Sequence, residues 1–353
     1  MKTNPVLLGA MATILLLSCT GEVSDDVGSL NLPIAHSNNA VALARTDDGQ
    51  VLFSFNGLRA GTSHANVSKQ AFACQLNTHI CEQIPDVPVD EGRLASSAIT
   101  LNNQVYLFGG YTVGEDGSEV STPEVFRFDP TDRSYTRLSD MPVPVDDAVI
   151  FTHQDRYIYL VSGWHNDGNV SDVQVYDTAE ALWFEATDYP GSPVFGHAGG
   201  AVDSQIIIAD GVAVVGVVDG RRQFGEVDEV WHGKISENDP SEITWTRKSP
   251  HPFGPLYRMA AIGSPNRNAI LFAGGGDNPY NITGVGYDGV NAVPSDVVFA
   301  FDLETEAWTE LGRLQDPSMD HRGLLEFDNR FYIIGGLTAE LGVRSRVTVF
   351  TAQ

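Results

Sequence analysis

The sequence predicts an all-β chain made of six copies of one four-stranded antiparallel unit. Three observations lead there. Six short apolar runs each stop at a glycine, at a nearly constant spacing. A second alternating run and then an aromatic follow at fixed distances. The 353 residues carry 35 glycines and 18 prolines and little helical periodicity, as expected of many short strands joined by turns.

The glycine-ended runs cover 51–57, 105–110, 158–163, 212–216, 270–275 and 332–336. Their last glycines are Gly57, Gly110, Gly163, Gly216, Gly275 and Gly336, spaced by 53, 53, 53, 59 and 61 residues. Eight residues before the glycine stand Gly49, Asn102, Asp155, Arg267 and Asp328, mostly in turn-type sequence that predicts a hairpin between strands a and b. The fourth unit shifts this turn to Asp210-Gly211. Strand c is expected at 71–75, 125–129, 173–177, 229–233, 298–302 and 347–351. Strand d carries Tyr135, Trp183 or Trp308 six residues after strand c, with Trp245 delayed by an insertion. Pro142, Pro190, Pro252 and Pro317 close these strands.

The pattern of Gly109-Gly110, then Phe128-Asp129 or Tyr176-Asp177, then Trp183 or Trp308 resembles the Kelch repeat. The resemblance implies a six-bladed Kelch β-propeller over residues 29–353. The sixth unit ends without a strand d, and Leu30-Asn-Leu-Pro33 matches the ends of other d-strands. The N-terminal strand is therefore expected to close the last blade and remove a free sheet edge. Cys74 and Cys81 replace the c-strand and d-strand aromatics of the first unit, and a disulfide between them is expected.

The N-terminus reads as a targeting segment. Lys2 precedes an apolar run at 6–17, too short to span a bilayer. Leu16-Leu17-Ser18-Cys19 resembles a bacterial lipobox, which implies a signal peptide at 1–18, acylation of Cys19 and a polar tether at 19–28. An exported, periplasmic, lipid-anchored protein follows, with Thr20 suiting the outer membrane. The net charge of −25 argues against a nucleic-acid partner.

In such a ring, the d-to-a and b-to-c loops share one face around the axis. The d-to-a segments supply His36, Arg93, Asp146 with Asp147, His197, Arg258, and Asp320 with His321 and Arg322. The b-to-c loops add Trp164 and His165, and a long fifth-blade loop adds Asp277, Asn278, Tyr280, Tyr287 and Asp288. Exposed aromatic rings beside carboxylates and amides suit a sugar or glycan, and such a ligand bound by a monomer is the leading expectation. A sugar mutarotase or epimerase is the next reading, since mutarotation needs an acid and a base. The six-bladed architecture is similar to that of sialic-acid mutarotases. In that family a Glu follows the fourth-blade glycine, where this chain has Val217, with Asp219, Arg221 and Arg222 only nearby. The third reading is a protein-protein scaffold. No metal or cofactor is expected, because no His/Cys cluster stands at ligand spacing. Galactose oxidase shares the propeller but needs a cysteine-linked tyrosine for its copper. The three cysteines here are otherwise assigned, so a copper oxidase is not expected.

Overall fold

The computed structural model describes residues 30–61 and 63–352, and over them the chain forms six antiparallel blades ranged around a common axis, with three two-stranded hairpins beside them. The signal peptide, the tether and Cys19 lie outside the described residues. The first blade runs Ala40–Thr46, Gly49–Arg59, Val67–Gln75, Ile80–Ile84, with a short strand His36–Ser37 added along the end of the second. The third blade is the simplest, with Val149–His153, Tyr157–Val161, Val173–Asp177 and Leu182–Ala186 paired in order. Among the described residues there is no α-helix, only the single turns His64–Asn66 and Pro265–Arg267.

The core consists of six apolar layers, each between neighbouring blades. One joins the first and second blades through Phe53, Phe55 and Phe128. Others hold Tyr159 with Ile208, and Phe272 with Phe299. Each d-strand aromatic packs toward the blade before its own. Trp183, Trp245 and Trp308 donate their indole N–H to the carbonyls of Ser139, Thr187 and Ser249, and Tyr135 donates its hydroxyl to Pro85. The recurrence of that aromatic in blades two to five thus has a cause. It buries a large ring between sheets while its polar tip reaches the preceding blade.

In the first blade Cys81 takes this place, disulfide-bonded to Cys74 directly across the ladder. The ring closes as the sequence leads one to expect. Val347 donates its N–H to the Leu30 carbonyl at 2.9 Å, and Leu32 donates to Ser345 at 2.7 Å. Leu30 and Leu32 are buried between the sixth and first blades.

The fourth blade differs from the expected register. Its second strand is Gln205–Ala209, paired with Ala198–Val202 and Val230–Ile235. The glycine that ends it is Gly211, with φ of 105°, matching 103° at Gly57 and 115° at Gly163. Gly216 instead lies in Val212–Val218, which pairs with Arg221–Glu226 as a separate hairpin on the loop face. The apolar run at 212–216 imitates a buried strand, yet Val215, Val217 and Val218 are exposed. The position after the fourth-blade glycine is thus Val212, not Val217, and it too lacks a carboxylate.

Candidate functional site

The site begins with a backbone feature repeated in every blade. Just before each inner strand, one residue adopts the left-handed conformation: Asn38, Ala95, Asp147, Gly196, Arg258 and Asp320. Main-chain N–H groups then link the blades in a circle. Asp147 donates to Ala95, Gly196 to Asp147, Arg258 to Gly196, His321 to Arg258 and Asn38 to Asp320. The remaining step is made by a side chain, as the Ala95 N–H donates to Asn38 Oδ1 at 2.6 Å.

Four of the six residues in this circle carry polar side chains, and three of them converge near the axis on Arg258. Its guanidinium donates to Asp147 Oδ2 at 2.7 Å and Oδ1 at 3.2 Å, to Asp320 Oδ1 at 3.1 Å and to the Asn281 carbonyl at 2.8 Å. Asn38 also donates to Asp320 Oδ1, and Arg322 pairs with Asp147. Arg258 is fully buried, with the rings of Tyr257 and Tyr280 4.7 and 5.4 Å from its guanidinium carbon. Burial opposes its charge, but Asp147, Tyr257 and Asp320 hold its pKa well above the usual value.

This ionic cluster lies between two spaces. On one side is the central channel, a cavity of about 360 Å³ lined by inner strands and reached by His197, His321 and Arg322. Burial lowers the pKa of His197 to about 4 and of His321 to about 3, so both imidazoles stay neutral. On the loop side is a pocket of about 40 Å³ with Asp146, Asp147, Glu119 and Arg258 facing the rings of Tyr111, Trp164, Phe195, Phe224 and Tyr287.

The adjacent aspartates of this pocket differ. Burial and then the charge of Asp147 push Asp146 well above the ordinary carboxylate range, and its hydrogen bond from Ser121 offsets this only in part. For Asp147 burial acts in the same direction, but Arg258 and Arg322 outweigh it and keep the carboxyl low. The pocket thus sets an acid beside an ionised carboxylate. A stacked pair, Tyr287 and Phe224 with centroids 4.2 Å apart, walls it off from a groove of about 440 Å³ lined by Glu226, Asp277, Asn278 and Asp288.

The expected site residues therefore divide. Asp146, Asp147, Trp164, Arg258 and Tyr287 meet in the pocket, and Asp320 supports Arg258 from beside it. His197, His321 and Arg322 reach the channel. Asp277, Asn278 and Asp288 line the groove. His36 and Arg93 stand two positions before the left-handed residue and line neither space. The His36 ring packs on Phe72, and Arg93 pairs with Glu124 at 2.8 Å. His165 turns to the Pro144 carbonyl at 2.6 Å. The expectation of an exposed ring at Tyr280 is corrected. It is wholly buried against Tyr257 and beneath Arg258, because the loop folds back on its own blade.

Sequence reasoning missed Glu119, Ser121, Phe195, Phe224 and Asn281. Phe224 was within reach. Two β-runs flank Asp219-Gly220, both with positive φ, which is a hairpin-turn signature. Asn281 and Glu119 meet only because two loops from distant blades touch, and no local pattern reports that.

Comparisons with known proteins agree with this architecture. A model of the Kelch motif matches residues 92–142. Kelch-like protein 15 of Danio rerio is 26% identical over 259 residues, 72% of this chain and 39% of that protein. Kelch-like protein 15 of Gallus gallus is 32% identical over 128 residues, 36% of this chain and 25% of that protein. The chain spans about two fifths or less of the length of these curated relatives. A solved structure of YjhT superposes with a TM-score of 0.70 at 16% identity, covering 92% of this chain and 97% of that one. The chain carries a Kelch motif at residues 92–142 and folds as a six-bladed β-propeller.

Proposed function

We propose that this propeller is a binding module whose loop-bearing face docks a protein partner. The carrying observation is where exposed apolar side chains collect. Of eleven large ones among the described residues, seven lie on the Val212–Glu226 hairpin and the 276–293 loop: Val215, Val217, Val218, Val285, Tyr287, Val290 and Val293. These two segments border the same groove. Scattered exposed apolar residues need no explanation, but a grouping around one groove marks an interaction surface. The fold alone carries no such conclusion, because propellers host unrelated activities.

The test is affinity capture with the full chain as bait, comparing Val217→Asp/Val290→Asp with Leu182→Asp on a d-strand. A partner retained by the wild type and by Leu182→Asp, but lost from the double variant, supports docking at this face. Equal recovery from all three removes it.

A sugar ligand is the second reading, favoured by the acid and carboxylate of Asp146 and Asp147 under aromatic walls. Those groups could exchange anomers as acid and base. A pyranose does not fit a pocket of about 40 Å³, so the Tyr287–Phe224 pair would have to part first. Anomer exchange followed by NMR on sialic acid and common aldoses tests this reading. We also place the module at a membrane surface through acylated Cys19, which Cys19→Ala should release into the soluble fraction.

A further inference from the structure

We propose that the axial pocket receives the ammonium group of a lysine side chain presented by the docked partner. This deepens the docking reading and rests on it for the source of the lysine. Four features of the molecule carry it.

The first is charge count. Asp146, Asp147, Asp320 and Glu119 gather around Arg258 and Arg322, leaving two more carboxyl groups than guanidiniums, of which Asp146 carries a proton until a cation enters. The two arginines are engaged with Asp147 and Asp320, so Asp146 and Glu119 have no ion-pair partner, although Ser121 donates to the first and Asn281 to the second. The second is an open acceptor. Asp146 is 97% buried; Ser121 donates to its Oδ2, and among the described residues no hydrogen bond reaches Oδ1. The side chain faces the pocket, so a donor entering there completes it.

The third is the wall. Aromatic faces attract cations, most strongly when water is excluded. The chain already uses Trp164 in this way, with the guanidinium carbon of Arg222 5.4 Å from its ring. The fourth is size. Space of about 40 Å³ holds a few water-sized groups, enough for an aminomethyl tip. Among the described residues no group of three or more His, Cys, Asp or Glu is placed to hold a metal ion, so an organic cation suits the site better. The −25 net charge of the chain draws a basic partner segment toward it.

An entering ammonium must displace the proton that burial and Asp147 hold on Asp146. Affinity therefore rises with pH as Asp146 ionises. Other charged groups facing it are Glu119 at the mouth and Arg258 below, with His197 facing Asp147 from the channel side.

The experiment is calorimetric titration of the full chain with Nα-acetyl-lysinamide and with its Nε-acetylated form. Saturable binding of the first alone, weakened roughly tenfold or more in Asp146→Asn and strengthened by raising pH only when Asp146 is present, supports the assignment. Asp146→Glu, which keeps the charge, should retain part of the affinity. Equal binding of the two amides, or none of the first to a folded wild type, overturns it. The two readings fail separately. Loss of the partner from the Val217→Asp/Val290→Asp variant with no amide binding leaves docking standing and removes the lysine pocket. Amide binding without effect of the rim substitutions does the reverse.

Discussion

Arg258 of the fifth blade holds Asp147 of the third blade through two hydrogen bonds, 2.7 and 3.2 Å long, between residues 111 apart in the chain. With Asp320 of the sixth blade, the contact ties half of the ring together at its axis. Removing the guanidinium leaves two buried carboxylates facing each other with only Arg322 and Asn38 to answer them. Arg258→Met should cost about 3–5 kcal/mol in denaturant unfolding. Pairing it with Asp147→Asn and Asp320→Asn should recover much of that loss, because the penalty lies in the unpaired charges.

The fourth-blade register makes a sharp prediction about two nearby glycines. At Gly211, φ is 105° and an added Cβ would stand 2.8 Å from the Cβ of His197. At Gly216 nothing lies within 4 Å of that position, and φ is not in the glycine region. Gly211→Ala should cost about 1–3 kcal/mol from backbone strain alone, with the clash added. Gly216→Ala should leave the melting curve unchanged. Equal sensitivity would restore Gly216 as the blade glycine.

Closure by the N-terminal segment is tested at Leu32, 3% exposed between the last and first blades. Leu32→Ala should destabilise by about 2–5 kcal/mol. Deleting residues 29–34 should lower the melting temperature further, because it also removes the ladder bonds to Ser345 and Val347. A deletion with the melting temperature of the intact chain would contradict closure.

The Cys74–Cys81 disulfide spans seven positions in sequence. A loop that short constrains the unfolded chain modestly, so Cys74→Ser/Cys81→Ser should cost about 2–3 kcal/mol. The cost should appear as a lower midpoint in urea.

His36, His197 and His321 supply a pH dependence whose sign can be worked out. Burial lowers them to about 4, 4 and 3, below their unfolded value of 6.5. Between those limits the unfolded chain binds more protons, so their contribution to stability is full above pH 6.5 and falls as pH falls. Asp146 and Asp210, whose carboxyls are raised by burial, work in the opposite direction. The clean readout is a difference. His197→Gln keeps a donor for the Val161 carbonyl and should reduce the slope of unfolding free energy between pH 4 and 6.5 by about 1.4 kcal/mol per pH unit. An identical slope would place that titration elsewhere.

The repeat was legible because each element of it answers a local or nearest-blade need. Glycine at Gly57, Gly110 and Gly163 permits a positive φ at the strand end, and the aromatic six residues after strand c fills the layer to the preceding blade. The missing strand d and the Leu30-Asn-Leu-Pro33 segment were legible for the same reason. The fourth blade was misread because a run of valines on an exposed hairpin has the composition of a buried strand. Only the pairing of Val212–Val218 with Arg221–Glu226 separates the two.

By itself, the sequence determined that six blades form, where the second and third strands fall in five of them, and that the Leu30-Asn-Leu-Pro33 segment joins the last blade. These follow from residue types at fixed spacings, which act over a few residues or one blade interface. The tertiary structure alone decided which polar side chains meet. Arg258, Asp147, Asp320 and Asn38 come together because four turns 62 to 111 residues or more apart point at one axis. Tyr280 disappears beneath them while Phe224 and Tyr287 stack above. Convergence of that kind depends on loop paths through space, and spacing along a chain does not encode it.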